Sequence, residues 1–189
     1  AYFGQCNSRS QVLLKLMSPG VPDTYQGNEM WDFSLVDPDN RRPVDYDLRK
    51  WALGEIHSWV QGDRVELANK LVNTIANGYI KMYMSYCALQ HHQAHLDLYE
   101  RGDYFALYAK GEQSEHICAF AYKFKDKELI VTVPRLTVSL THGEEKPPLA
   151  DVWGDTILPL PHTLTGIQYL NLFTGETMVS SEHDGITGL

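Results

Sequence analysis

The sequence predicts an α+β protein, with helices in its first half and antiparallel strands in its second. Apolar residues recur at intervals of three and four as far as about residue 98, and from Gly102 onward they alternate every second residue. The later runs are short, evenly spaced and punctuated by Gly and Pro, with no helical pattern between them, which predicts an antiparallel sandwich. The expected division is therefore residues 1–98 and residues 99–189.

Each element has a local reason. Asn7 or Ser8 can cap a first helix with Val12, Leu13 and Leu16 on one side, stopped by Ser18-Pro19-Gly20. Gly20–Tyr25 is short, apolar and bounded by Gly and Pro, and reads as one buried strand. An acidic loop containing arginines follows. Asp45 or Asp47 caps a second helix reaching about Val60, and Gln61-Gly62-Asp63 breaks it. A third runs from Arg64 to about Ala76 and stops at Asn77-Gly78, a pair that favours a left-handed cap. A fourth spans Tyr79 to about Leu96, with Ile80, Tyr83, Met84, Cys87 and Ala88 as its inner stripe. Tyr104–Tyr108, Ile117–Phe124, Leu129–Val133, Val138–Leu140 and Thr156–Leu158 are expected strands. Ile167–Phe173 and Thr177–Ser180 should form a hairpin across Thr174-Gly175-Glu176. His142–Pro148 reads as an exposed loop.

Composition narrows the class. At 189 residues, 43% apolar and 11% aromatic, the chain can bury a real core. A net charge of −8 argues against nucleic acid as partner, because phosphate binding needs a basic face. No stretch approaches the roughly eighteen apolar residues of a membrane helix, and no signal pattern opens the chain. Cys6, Cys87 and Cys118 are odd in number, widely spaced and set among apolar residues, which suits reduced thiols in a cytoplasmic protein. The start at Ala1, without methionine, suits a truncated or processed chain.

Ser18–Tyr46 is the most informative stretch. It reads SPGVPDTYQGNEMWDFSLVDPDNRRPVDY and gathers acids, a paired arginine and aromatics into one loop. Such groups can hold a sugar, with hydroxyls bonded by charged side chains and ring faces laid on aromatics. The runs Ser18–Glu29, Trp31-Asp32 and Leu35–Asp45 resemble the last barrel strand and following loop of the α-amylase superfamily, and within it the maltooligosyl trehalose synthases. The resemblance implies a fold: a helical segment with the last strand and closing helix of a (β/α)8 barrel, followed by an all-β antiparallel sandwich. The loop after Tyr25 would then face the substrate, since barrel active sites sit at the C-terminal ends of the strands. It also implies that the chain is the C-terminal portion of a longer enzyme, with the catalytic carboxylates upstream of Ala1 and no catalytic residue here. The implied substrate is a maltooligosaccharide, whose reducing-end α-1,4 link is converted to an α,α-1,1 link through a covalent glycosyl-enzyme intermediate. No cofactor or metal is implied, and the isolated chain should be inactive.

The substrate-binding candidates are Tyr25, Gln26, Glu29, Trp31, Asp37, Asp39, Arg41, Arg42 and Lys81. Arg41 and Arg42 could donate to sugar hydroxyls, with Asp37, Asp39 and Asp45 accepting; equally, Asp37–Asn40 could be a turn whose aspartates pair with those arginines. Tyr25, Gln26, Glu29 and Trp31 could line a cleft or form a structural corner. Glu29 with Asp32 or Asp37 could be imagined as an acid pair, which the resemblance rejects because these are not the family's catalytic positions. Lys81, in Gly78-Tyr79-Ile80-Lys81, could reach back to a loop carboxylate or stay exposed. His91 and His95 have zinc-binding spacing but no expected third ligand, so they read as solvated or packed histidines. Trp153-Gly154-Asp155 reads as a structural turn.

Two other classes stay open: a non-catalytic carbohydrate-binding or scaffold module, and part of another α-amylase-type hydrolase or transferase. Without a surrounding barrel, Leu13, Leu16, Val21, Ile80, Tyr83 and Met84 would face water. Residues 1–98 should then either repack as a helical cluster, with Gly20–Tyr25 outside any barrel sheet, or self-associate.

Overall fold

The computed structural model describes residues 1–35, 37–162 and 164–189. Helix α1 (Tyr2–Met17) begins ahead of the expected caps, which lie inside it. Gln5 and Cys6 are buried with Val12, Leu13 and Met17, so the helix packs against the core ahead of the expected caps as well as after them. Asp45 caps α2 (Tyr46–Trp59), its carboxylate accepting from the Leu48 N–H at 2.8 Å, and Asp63 caps α3 (Arg64–Asn73). A 3-10 turn, Ile75–Asn77, ends at Gly78 in the left-handed conformation that Asn-Gly predicts. Helix α4 (Tyr79–Ala94) follows and breaks at His95 before α5 (Leu96–Arg101).

Gly20–Tyr25 is not a strand. The described residues give it no strand to pair with, and a lone strand cannot satisfy its own backbone groups. Val21 is 99% exposed instead of buried. Leu13, Ile80 and Tyr83 are buried, with Leu16 and Met84 packed beside them, so the first half is a helical cluster around an irregular loop.

The second half holds small antiparallel sheets. Strands β1 (Asp103–Leu107), β2 (Ile117–Phe124) and β3 (Lys127–Pro134) form a meander in that order. Cross-strand partners Cys118–Val133, Phe120–Val131 and Tyr122–Leu129 share one face, and helices cover it: Leu13 and Met17 of α1, Ala88 of α4 and Leu98 of α5. Val138–Leu140, expected as a strand, is a single helical turn, α6 (Thr137–Leu140). Leu136 enters it at φ +52°, and the Thr141 hydroxyl donates to the Thr137 carbonyl at 3.0 Å, which closes the turn locally. Thr156–Leu158 forms no strand but bridges on both sides: Ile157 pairs with Lys110, and Leu158 exchanges backbone bonds with Leu189. The expected hairpin forms as β4 (Gln168–Leu170) and β5 (Thr177–Val179). A further ribbon, β6 (Ser181–His183) with β7 (Ile186–Gly188), turns at Asp184-Gly185, a hairpin pair that was legible but not read.

Two hydrophobic clusters result. One joins α2, α3 and α4 around Ile56, Leu71 and Tyr83; the other joins α1, α4 and α5 to the sheet. Gly78 ties the first to the loop below it. A Cβ there would lie 2.9 Å from the Trp31 backbone nitrogen and 3.1 Å from the Met30 Cβ, at φ +79°. Gly78→Ala is therefore expected to destabilise the chain by about 1–3 kcal/mol through combined strain and clash. Urea unfolding measures it, and an unchanged midpoint with unchanged slope would refute the assignment.

Candidate functional site

The Ser18–Tyr46 segment is held at its ends and in its middle. At one end the Ser18 N–H donates to the Leu14 carbonyl at 2.9 Å, and at the other Asp45 caps α2. In the middle Met30 is buried in the first cluster, and the Trp31 indole N–H donates to the Ile75 carbonyl at 2.6 Å. Arg49 of α2, with its side chain only 17% exposed, completes this anchor. It donates to Glu29 Oε2 at 3.0 Å, to the Gly27 carbonyl at 2.5 Å and to the Asp45 carbonyl at 3.0 Å. Two exposed arms leave the anchor, one on each side.

Two adjoining open depressions lie between the arms. Tyr25, Asp32 and Asn40 line both; Asp23, Asn28, Ser34 and Leu35 complete one, and Gln26, Asp37 and Arg41 the other. Four expected residues, Tyr25, Gln26, Asp37 and Arg41, are thus brought together. Gln26 is held by Tyr46, whose hydroxyl donates to its Oε1 at 3.0 Å.

The remaining expected residues sit around this surface. Arg42 pairs with Asp39, and Asp39 also accepts from the Leu35 N–H at 2.7 Å, so both brace the turn Asp39–Arg41. Arg41 pairs with Asp37 at 2.5 Å, both largely exposed. The internal pairing that Asp37–Asn40 allows is therefore present. Val36 of this motif lies outside the described residues. Glu29 is engaged by Arg49, and Trp31, its N–H already used, stacks on Phe33 with centroids 6.3 Å apart.

Lys81 lies beneath the loop on the first turn of α4, only 8% exposed. Burial pushes its ammonium below the usual lysine range, Lys15 adds to the effect, and Asp32 and Glu29 oppose it. Among the described residues no carboxylate is within ion-pair distance of it. Asp32 is held below the usual carboxylate range by hydrogen bonds from Ser34, its backbone N–H at 2.9 Å among them, with Lys81 and Arg49 adding to this. Asp32 and Asn40, which line both depressions, were not among the expected binders, nor were Asp23, Asn28, Ser34 and Leu35 on one of them, nor Arg49 as the support. Asp32-Phe33-Ser34, with side chains suited to a local turn, was the available signal for Asp32; the signal for Arg49 was its place one turn after the Asp45 cap.

Near the other end of α4, the His91 and His95 rings are 4.5 Å apart, and among the described residues no group of three metal-ligating side chains forms. No helix is long and apolar enough to cross a membrane among the described residues.

Proteins from two strains of Mycobacterium tuberculosis, each named as a maltooligosyl trehalose synthase, are 36% identical to this chain over 149 residues, 79% of it and 15% of their own length. The solved maltooligosyltrehalose synthase of Arthrobacter ramosus aligns with a TM-score of 0.65 at 28% identity, covering 93% of this chain and 20% of that one. A Sulfolobus tokodaii structure titled as a maltooligosyl trehalose synthase aligns with a TM-score of 0.58 at 26% identity, covering 99% and 20%. No family model matches the chain. The resemblance read from Ser18–Asp45 is thus shown: the chain is similar to maltooligosyl trehalose synthases in sequence and fold, and it spans a fifth or less of their length.

The two ion-pair systems should behave differently. Arg49→Ala strips hydrogen bonds from a mostly buried guanidinium and should cost about 2 kcal/mol. Arg42→Ala removes an exposed pair and should leave the unfolding midpoint nearly unchanged. Urea unfolding of both variants checks this, and equal losses would contradict it.

Proposed function

We propose that this chain is the C-terminal portion of a maltooligosyl trehalose synthase, and that its Ser18–Tyr46 loop forms one wall of the glucan groove. In this reading residues 1–98 correspond to the end of the catalytic barrel and residues 99–189 to the β-domain beside it. The reaction moves the reducing-end glucose from an α-1,4 to an α,α-1,1 link by intramolecular transglycosylation. It requires a carboxylate nucleophile and an acid/base partner, supplied from the other four-fifths of the enzyme. The three free cysteines suit a cytoplasmic setting.

One observation carries the reading. The stretch that resembles the family's substrate loop brings Tyr25, Gln26, Asp37 and Arg41 to one surface with Asp32 and Asn40. Amides, carboxylates and a guanidinium around an exposed tyrosine ring offer donors, acceptors and a stacking face to a glucose unit. Trp31, Glu29, Asp39, Arg42 and Lys81 act from behind, holding the wall in shape.

The isolated chain should cause no loss of reducing ends from maltopentaose, because it lacks the two catalytic carboxylates. In a complete synthase carrying this segment, Arg41→Ala should lower kcat/KM by about tenfold to a hundredfold, the scale of a lost charged hydrogen bond. Asp32→Asn should act in the same direction without lowering the melting temperature. Unchanged kinetics in both variants would remove the loop from the groove.

A further inference from the structure

The corner between α4 and α5 gathers three histidines and a lysine. The His91 and His95 rings are 4.5 Å apart, and the His92 ring lies 4.1 Å from that of Tyr99. His91 Nδ1 is 2.7 Å from the Tyr99 hydroxyl, and Lys127 Nζ, at the start of β3, is 3.3 Å from His95 Nδ1. Tyr99 is half-buried against Tyr122 of β2, and its hydroxyl stands 3.9 Å from Met17 Sδ of α1.

Among the described residues no acid pairs with the histidines of this corner. On α5, Asp97 reaches toward Arg101 at 4.0 Å, Glu100 is exposed, and the Arg101 guanidinium lies over Phe124 of the hairpin. From the hairpin, Lys127 faces inward, Lys125 lies over Phe124, and Glu128 turns away to His162 at 3.4 Å. From β2 and β1 come only the phenols Tyr122 and Tyr104, and from α1 the Met17 thioether. Among the described residues no carboxylate lies within 4.0 Å of the rings of His91, His92 or His95.

We propose that this corner is an acid-sensitive joint, at which protonation of His91 and His95 releases the Lys127 end of the β2–β3 hairpin from the helices. The Lys127 ammonium can only donate, so its contact requires an unprotonated His95 Nδ1, whereas the Tyr99 hydroxyl, directed toward Met17 Sδ, leaves an oxygen that can accept from His91 Nδ1. A proton on His95 sets imidazolium against ammonium, and one on His91 puts a charge into a half-buried site beside His95, His92 and Lys127. Burial first, then His95, His92 and Lys127, hold the His91 pKa down at about 4. The sign follows. The closed joint favours neutral His91, so its stability is complete above the ordinary imidazole pKa of about 6.5 and is lost as pH falls toward 4.

Hydrogen exchange of the 189-residue chain tests this, with rates corrected for the intrinsic pH dependence of amides. Between pH 7 and pH 5, amides of residues 95–101 and 123–128 should open about twentyfold more often, the ratio that pKa values of 4 closed and 6.5 open imply. Amides of α2 and α3 should keep their protection. His91→Gln should remove most of the acid-induced opening, leaving only the part that His95 and Lys127 contribute. Should that variant fail to fold, Lys127→Met decides: the His91 ring-proton titration midpoint, low in the parent chain, should move up. An ordinary His91 midpoint, pH-independent exchange at the corner, uniform loss of protection across the chain, or a midpoint indifferent to Lys127→Met would each overturn the proposal.

Discussion

The packing of α4 is the constraint on which the rest of the structure depends. Tyr79, Ile80, Met82, Tyr83 and Cys87 enter the cluster with α2 and α3, while Ala88 enters the cluster with α1, α5 and the sheet. One helix therefore takes part in both cores. Two long-range bonds reinforce the arrangement: the Tyr83 hydroxyl donates to the Phe173 carbonyl at 2.5 Å, and the Tyr122 hydroxyl to the Met17 carbonyl at 3.0 Å. The second matters more than one bond suggests, because Met17 closes α1 and its carbonyl has no further helical turn to bond to. The helical half and the sheet are joined through buried contacts of opposite sequence ends, which is why neither is described well alone.

The candidate site inherits its shape from the same helix. Gly78 lets the chain enter α4 close against Met30 and Trp31, and those residues are the fixed part of the Ser18–Tyr46 segment. The arms on either side carry Tyr25 and Arg41 and are held mainly by local bonds. Burial thus decreases from the anchor outward to the surface that would meet a ligand. Such a gradient is common where a rigid scaffold presents a binding loop.

Much of this was legible in the sequence wherever the signal was local. The Asp45 and Asp63 caps, the Asn77-Gly78 stop, the inner stripe of α4 and the strands β2 and β3 follow from neighbouring residues alone. Gly20–Tyr25 failed because a strand is a property of a pair, and its composition could not show that no partner lies beside it. Val138–Leu140 failed because two threonines, Thr137 and Thr141, close a helical turn that β-branched propensity argues against. The site was legible as a loop and as a set of residue types. Which of its members line a surface and which brace it was not, because Arg49 acts on it from a helix further along the chain and Lys81 from a later one.

The charge balance of the loop bears on the kind of ligand it suits. Asp37 is matched by Arg41, Asp39 by Arg42 and Glu29 by Arg49, so three of its acids are neutralised within the chain. Asp23 and Asp32 have no ion-pair partner among the described residues, and Lys81 compensates Asp32 only from a distance, beneath the surface. The groups left facing the depressions are then chiefly Asn28, Asn40, Gln26 and Ser34, with the Asp23 and Asp32 carboxylates, the Leu35 side chain and the Tyr25 ring. An anionic ligand would need an unmatched cation, and the exposed one here, Arg41, is already paired. A cationic ligand would need a cluster of free acids. Amides, a hydroxyl and a hydrogen-bonded carboxylate beside an aromatic face suit a neutral, hydroxyl-rich ligand, whose groups both donate and accept. The chain's charge of −8 gives long-range attraction to no such ligand, so recognition at this surface must rest on contact geometry, and hence on the anchor that α4 provides.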